Sequence, residues 1–240
     1  MNAHEMKIAN AAVTQVAKEV DILDALLPLS GARILELGCG RAEMTRLVAA
    51  QAESVLALEV DEVQLAKNLE ITDLPNVEFK HGGAERIPAP DAAFDIVLMF
   101  KSLHHVPGAM MGRVFPEIHR VLKPGGLAYI SEPVYAGDFN EILKLFHDER
   151  EVREAAFAAV SQAAQSGQFD LQLQKFFLSS MHFDDFGQFE ERILKVSHTD
   201  HRLSPELYAK VRSRFEKHMT PAGADFQMPI RVDLLKTRAE

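Results

Sequence analysis

Between residues 32 and 132 short apolar runs alternate with longer amphipathic ones, and few folds accept that order. Residues 33–37 (RILEL), 54–60 (SVLALEV), 77–79 (VEF), 94–100 (FDIVLMF) and 127–133 (LAYISEP) are rich in Val, Ile, Leu and Phe and bounded by turn residues, the signature of strands. Residues 42–52, 61–71 and 109–122 carry apolar side chains at helical spacing, among them Val114, Ile118, Val121 and Leu122. Successive strands separated by helices are joined by right-handed crossovers and lie parallel. Their nearly continuous apolar character calls for cover on both faces, so the expected core is a Rossmann-like, doubly wound α/β sheet. The segment Lys123-Pro124-Gly125-Gly126 reads as a turn, in which proline stops a helix and the glycines permit positive φ.

The flanks carry weaker signals. Before the core, Ile8, Ala12, Val16 and Val20 repeat at helical spacing, which predicts a helix ended by Pro28, Ser30 and Gly31. Asn10, Thr14, Gln15 and Lys18 interrupt its apolar character, so it does not read as a signal peptide. Residues 138–165 predict one long helix capped by Asp138 and stopped near Ser166 and Gly167, with more helix after it. Residues 189–197 read as a strand, 204–219 as a helix capped by Ser204 with Pro205 in its first turn, and 228–236 as a closing strand. The expected organisation is one domain over 1–240, with a core at 30–132, a helical cap at 134–188 and a final antiparallel strand pair at 189–240.

Composition narrows the partners. The 35 acidic residues exceed the 26 Lys and Arg, for a formal charge of −9, which disfavours nucleic acid and anionic membrane surfaces. No stretch approaches the ~20 apolar residues that span a bilayer. A single cysteine, Cys39, rules out an internal disulfide and the usual structural zinc patterns, so a reducing, cytoplasmic setting and no metal are expected.

The segment 33–50 carries the most chemistry. A strand runs into Gly38-Cys39-Gly40 and then a helix, which brings bare backbone N–H groups to the strand's carboxyl end. A dinucleotide fingerprint needs a third glycine where this chain has Glu43, whose carboxylate would face a pyrophosphate. Glu36, two residues before the first glycine, suits an ammonium or sulfonium ligand instead. Glu59, about 20 residues past the turn, is placed to accept hydrogen bonds from both hydroxyls of a ribose. Asp61 reads as the cap of the next helix.

The set ILELGCGRA, ALEVDE, FKHGGAERIPAPDAAFDIVLMFKSLHHV and RVLKPGGLAYISEP, over about residues 30–132, resembles the class I S-adenosylmethionine-dependent methyltransferases, in the branch with many small-molecule enzymes. The resemblance implies a seven-stranded sheet ending in an antiparallel hairpin. It implies that Glu36, Gly38, Cys39 and Gly40 surround the methionine part of the cofactor, with Ala42 where a third glycine often stands. Glu59 would bind the ribose and Val60 would pack on adenine. Gly83, Ala84 and Glu85 match the adenine-contacting stretch, and Met99 and Phe100 lie beside the amino acid moiety. The family commonly has Asp where this chain has Gly83, which leaves open whether or not Glu85 replaces it in receiving the adenine amino group. The amino-methylating nucleic-acid enzymes of this fold carry Asn-Pro-Pro-aromatic where this chain reads MFKSLHHV.

A sulfonium methyl is already activated, so the protein's tasks are positioning, exclusion of water and help in deprotonating the acceptor. His104 and His105, after the fourth strand, are the first candidates for a base, His104 foremost, against the plainer reading that they pack the turn before Pro107. Glu132, Tyr135 and His147 are further acceptor-side candidates. Nine of the 15 phenylalanines fall between 139 and 189, which either form a pocket for an apolar or aromatic acceptor or fill the cap's own core, as at Phe139 with Phe146 and Phe183 with Phe186. The run 147–154 reads as a solvated helix face, and Cys39 as small rather than reactive. Two other functions stand beside methyl transfer to a small acceptor: a protein that binds S-adenosylmethionine or its demethylated product without turnover, and a nicotinamide-dependent reductase. Oligomeric state is not readable.

Overall fold

In the computed structural model, which describes residues 6–195 and 203–238, five parallel strands form the centre of one sheet. They are β1 (Arg33–Leu37), β2 (Ser54–Glu59), β3 (Val77–His81), β4 (Phe94–Phe100) and β5 (Leu122–Pro133). Two long strands, β6 (Phe169–Phe183) and β8 (Gly223–Thr237), extend it in the order β3-β2-β1-β4-β5-β8-β6, and the two-residue β7 (Met219–Thr220) pairs with β8 beside that path. β8 is antiparallel to both β5 and β6. The sheet is therefore the expected mostly parallel, seven-stranded array with an antiparallel end. Strand order reverses between β1 and β4, and a crevice opens at the carboxyl ends there.

Side chains alternate between the two faces because the strand repeat is two residues. Leu35, Leu37, Val97 and Met99 bury one face beneath α4 (Gly108–Val121) and α6 (Arg150–Gln165). Ile34, Ile96, Leu98 and Tyr129 bury the other beneath α1 (Glu19–Leu26) and α2 (Glu43–Ala49). α3 (Glu62–Asn68) starts as expected, with Asp61 Oδ1 accepting the Val63 and Gln64 N–H groups at 2.9 and 3.3 Å. Residues 123–126 loop out of register, since Phe94 pairs with Leu122 and Ile96 already with Leu127.

Four expectations need correction. Residues 6–17 are not helical: Val16 bridges to Leu178 of β6, Ala17 N–H donates to the Leu178 carbonyl at 3.0 Å, and Leu178 N–H donates to Gln15 at 2.8 Å. The bare edge of β6 offers this backbone partners, while Asn10 draws the Ala12 and Val13 N–H groups into a local turn. The predicted helix at 138–165 is broken into α5 (Asp138–Leu143) and α6, and Gly137, at φ +90°, takes the cap position expected of Asp138. Asp148 Oδ1 accepts the Arg150 N–H at 3.1 Å and starts the second helix afresh. The helix expected after Gly167 is instead β6, so the anticipated helical cap at 134–188 is helical only in α5, α6 and the start of the short α7 (Phe186–Phe189).

The fourth correction concerns the strand expected at 189–197. The chain forms α7 (Phe186–Phe189) and a π-type turn over Glu190–Leu194, while 196 and 197 lie outside the described residues. The antiparallel pair is consequently β6 with β8, and it begins earlier than the sequence indicates. The helix between them, α8 (Pro205–Glu216), has the expected cap, with Ser204 Oγ accepting Leu207 N–H at 3.2 Å. Phe139, Phe183, Phe186, Phe189, Phe215 and Phe226 form a third cluster under this region, with Phe139 stacked on Phe183 at 6.2 Å.

Candidate functional site

β1 ends at Leu37, and the chain turns into α2 through Gly38 (φ +75°), Gly40 (φ +51°) and Ala42 (φ +61°). The N–H groups of Gly38 and Cys39 both donate to the Leu58 carbonyl, at 2.9 and 3.0 Å, which docks the turn on β2. Across it, Ser102 Oγ donates to the Leu37 carbonyl at 2.7 Å, and a Cβ on Gly38 would lie 2.7 Å from Ser102 Cβ. Only glycine permits that approach of the loops after β1 and β4.

Glu59, at the end of β2, ties the same turn from the other side. Its Oε2 accepts the Gly40 N–H at 2.8 Å, and its Oε1 accepts the Val60 and Asp61 N–H groups at 2.8 and 2.9 Å. Over these ends lies a cleft of about 820 Å³, walled by the turns that follow β1, β2, β3 and β4.

Of the residues expected at the cofactor, Gly38, Gly40, Glu59, Val60, Gly83, Ala84, Glu85, Met99 and Phe100 line this cleft. Glu36 and Cys39 do not. Glu36 sits one position out of phase with Leu35 and Leu37, so it turns toward α2, 1% exposed. Burial pushes its carboxyl up to about 7, offset in part by the Thr45 hydroxyl and reinforced by the Glu59 charge. Among the described residues its Oε2 has no hydrogen-bond partner. Cys39 is buried and accepts the Asn68 Nδ2–H at 3.5 Å; burial, then Glu36 and Glu59, push its thiol up, in keeping with an unreactive cysteine. At Gly83 the absent side chain leaves room for a neighbour: a Cβ there would lie 2.7 Å from Glu85 Oε1.

Sequence reasoning missed Arg41, Gln64, His81, Lys101, Ser102 and Met110, all of which line the cleft. Their positions beside the glycine turn and after β4 were the available signal. Lys101 holds φ +55° and donates its N–H to Ser131 at 2.7 Å, a backbone feature that no motif announces.

The acceptor-side expectations fare differently. His104 is 4% exposed and does not line the cleft, whereas its neighbour His105 is exposed and does. The 3₁₀ turn Leu103–His105 directs His104 inward, where its Nδ1 lies 2.6 Å from Glu132 Oε2 and its Nε2 3.7 Å from Glu149 Oε1. Burial alone would lower its pKa, but the Glu132 and Glu149 carboxylates raise it to about 9. His104 is turned away from the cleft in which an acceptor would lie. Glu132 also accepts the Leu103 N–H at 2.9 Å, and Glu149 pairs with Arg153 at 2.5 Å. Burial would raise Glu149, but His104 and Arg153 hold it well below the usual carboxylate range.

Tyr135 packs its ring against the Arg150 guanidinium at 4.6 Å, and His147 Nε2 lies 3.1 Å from Glu149 Oε1. Neither borders the cleft, nor does Glu132 or any of the nine phenylalanines between 139 and 189. The expected solvated face at 147–154 also departs, because Glu149 and Arg153 are buried.

The ion pairing of His104 has a pH signature. A folded-state pKa of about 9, above the unfolded value near 6.5, gives stability that is fully present below about pH 6.5 and lost as pH rises through 9. Chemical denaturation at pH 6, 7.5 and 9 is expected to show this fall, on the order of 2–3 kcal/mol. His104→Gln is expected to be less stable at pH 6 and to flatten the dependence. An equally steep fall in the variant would assign it elsewhere.

Comparison with known proteins places this geometry in context. A protein-family model described as a methyltransferase domain matches residues 35–130. The chain is 36% identical over 114 residues to 27-O-demethylrifamycin SV methyltransferase of Amycolatopsis mediterranei, covering 44% of this chain and 40% of that one. It is 36% identical over 102 residues to demethylmenaquinone methyltransferase of Listeria welshimeri, covering 40% and 42%. The matches thus span about two-fifths of the length of these curated relatives. Among solved structures, the YcgJ protein of Bacillus subtilis superposes with a TM-score of 0.64 at 16% identity over 92% of this chain and 97% of that one, a likeness of fold. No helix among the described residues is long and apolar enough to cross a membrane.

Proposed function

We propose that this chain, which belongs to the class I S-adenosylmethionine-dependent methyltransferase family, transfers the sulfonium methyl to a small organic acceptor by in-line displacement. The observation that carries the reading is the Glu59 carboxylate fixed to the glycine turn at the floor of the cleft. The residues present fit the cofactor. Glycines at positive φ let backbone approach a ligand closely, and Glu59, at the carboxyl end of β2, presents a carboxylate to the cleft where a ribose would be held.

When bound, S-adenosylmethionine supplies a methyl already activated by its positive sulfur. Glu59 holds the sugar hydroxyls, Val60 covers the adenine face, and Gly83 and Ala84 bound its edge. Glu85 reaches into the space that a side chain at position 83 would fill, and there it takes the place of the aspartate common in the family. Met99 and Phe100 wall the methionine portion, and Gly38 and Gly40 admit it. Glu36 and Cys39 support the turn from beneath. Positioning of the acceptor against the methyl and exclusion of water then supply much of the rate. The names of the rifamycin and menaquinone relatives support a small organic acceptor.

Glu59→Ala is expected to weaken S-adenosylhomocysteine binding by about 1–3 kcal/mol, the consequence of unpaired sugar hydroxyls and turn N–H groups. Titration calorimetry reads it directly. Unchanged affinity in a folded variant would remove the ribose role of Glu59.

A further inference from the structure

We propose that His104, His105 and Glu149 form a site for one divalent transition-metal ion, which holds the oxygen of the methyl acceptor at the cleft; the acceptor role rests on the reading of the cleft given above. Among the described residues, one ligand atom from each of these three lies within 4.8 Å of the other two. His104 Nε2 and Glu149 Oε1 are 3.7 Å apart, too far for a hydrogen bond and close to the ~3.3 Å between two ligands that share a tetrahedral metal at about 2.0–2.1 Å.

The surroundings are those of a built metal site. His104 Nδ1 lies 2.6 Å from Glu132 Oε2, the outer carboxylate that fixes the tautomer of a ligating imidazole and leaves Nε2 to face the ion. Arg153 donates to Glu149 Oε2 through Nη2 at 2.5 Å and Nε at 3.1 Å, which turns Oε1 toward His104. His147 Nε2, 3.1 Å from that same Oε1, gives way to the ion. The His104 and His105 rings are 4.1 Å apart, and His105 is the member that borders the cleft. Two imidazoles and one carboxylate suit zinc, manganese or ferrous iron better than magnesium or calcium, which prefer oxygen ligands throughout. Three protein ligands leave a coordination position open, and the exposed His105 puts it on the cleft side.

Such an ion supplies what the protein side chains do not. His104 is turned inward between the Glu132 and Glu149 carboxylates and does not line the cleft, so it is not placed to take a proton from a hydroxyl acceptor there. A metal lowers the pKa of a hydroxyl bound to it. The acceptor O–H proton then leaves to solvent water, the oxygen lone pair forms the new O–CH₃ bond, and the S–CH₃ pair stays on sulfur, which becomes a neutral thioether. The inferred acceptor class is an alcohol, enol or phenol.

The test uses the full chain, stripped with a chelator, dialysed, and titrated with Zn²⁺ by calorimetry and with Co²⁺ by visible absorption. One equivalent is expected to bind with Kd below about 10 µM. His105→Ala, at an exposed position, is expected to weaken binding at least tenfold and alter the Co²⁺ spectrum, and Glu132→Gln to weaken it about 10–100-fold. No saturable binding up to about 1 mM, or equal affinity in His105→Ala, would overturn the site. S-adenosylhomocysteine is titrated into the same samples. Its binding without metal binding removes the metal site and spares the cofactor reading, whereas metal binding without it removes the acceptor role.

Discussion

Replacement of Gly38 by alanine is expected to destabilise the protein by about 2–4 kcal/mol and to abolish measurable binding of S-adenosylhomocysteine. Two terms add. At φ +75° an L-residue is strained by about 1–2 kcal/mol, and its Cβ would stand 2.7 Å from Ser102 Cβ, in a contact that cannot relax by rotation of a flexible side chain. The loops after β1 and β4 must part, and they form two walls of the cleft. A Ser102→Gly change in the same chain removes the clash and leaves the φ strain, so the double variant is expected to be more stable than the sum of the single effects. Urea denaturation of the four proteins of this cycle measures the coupling. Strict additivity would mean that the two loops do not press on one another at this point.

The second large effect lies in the buried ion pairs. Arg153→Met is expected to lower stability by about 3–5 kcal/mol at pH 7, because it strips the Glu149 carboxylate of its 2.5 Å partner inside the protein. It also frees the Val134 carbonyl and Asn140 Oδ1, each 3.2 Å from Arg153 Nη1, so α5 loses its tie to α6. Replacing both partners, Glu149→Gln with Arg153→Met, is expected to recover part of the loss, since an uncompensated buried charge costs more than a missing pair. Thermal unfolding distinguishes these outcomes. A single variant as stable as the parent would show that the pair is hydrated and weak.

The core was legible in the sequence because its strands are buried on both faces and its crossovers are helical, so that apolar runs and amphipathic periods stood out separately. β6 was not. Its Phe169-Asp170-Leu171-Gln172-Leu173 alternation is a strand pattern, but it directly follows a strong helical period that masks it. At the break in the predicted 138–165 helix, Glu149 lies 3.7 Å from His104, a residue more than forty positions earlier, and no local pattern carries such a partnership.

The site divides along similar lines. Backbone chemistry announced the glycine turn, and strand position announced Glu59. Glu36 was misplaced relative to the cleft because the two-residue alternation turns it toward α2, a consequence readable in principle from Leu35 and Leu37 on either side. The choice between His104 and His105 was not readable, since a 3₁₀ turn decides which ring faces inward. The phenylalanines between 139 and 189 followed the plainer of the two expectations and pack away from the cleft, several of them on one another.

Calorimetric titration of the purified chain with S-adenosylhomocysteine, beside NADH, bears most directly on the cleft. One site is expected for the former, with a stabilisation of about 2.7 kcal/mol at a hundredfold excess over Kd, and no heat from the latter. Binding of NADH alone, or of neither compound to a folded protein, would contradict that expectation.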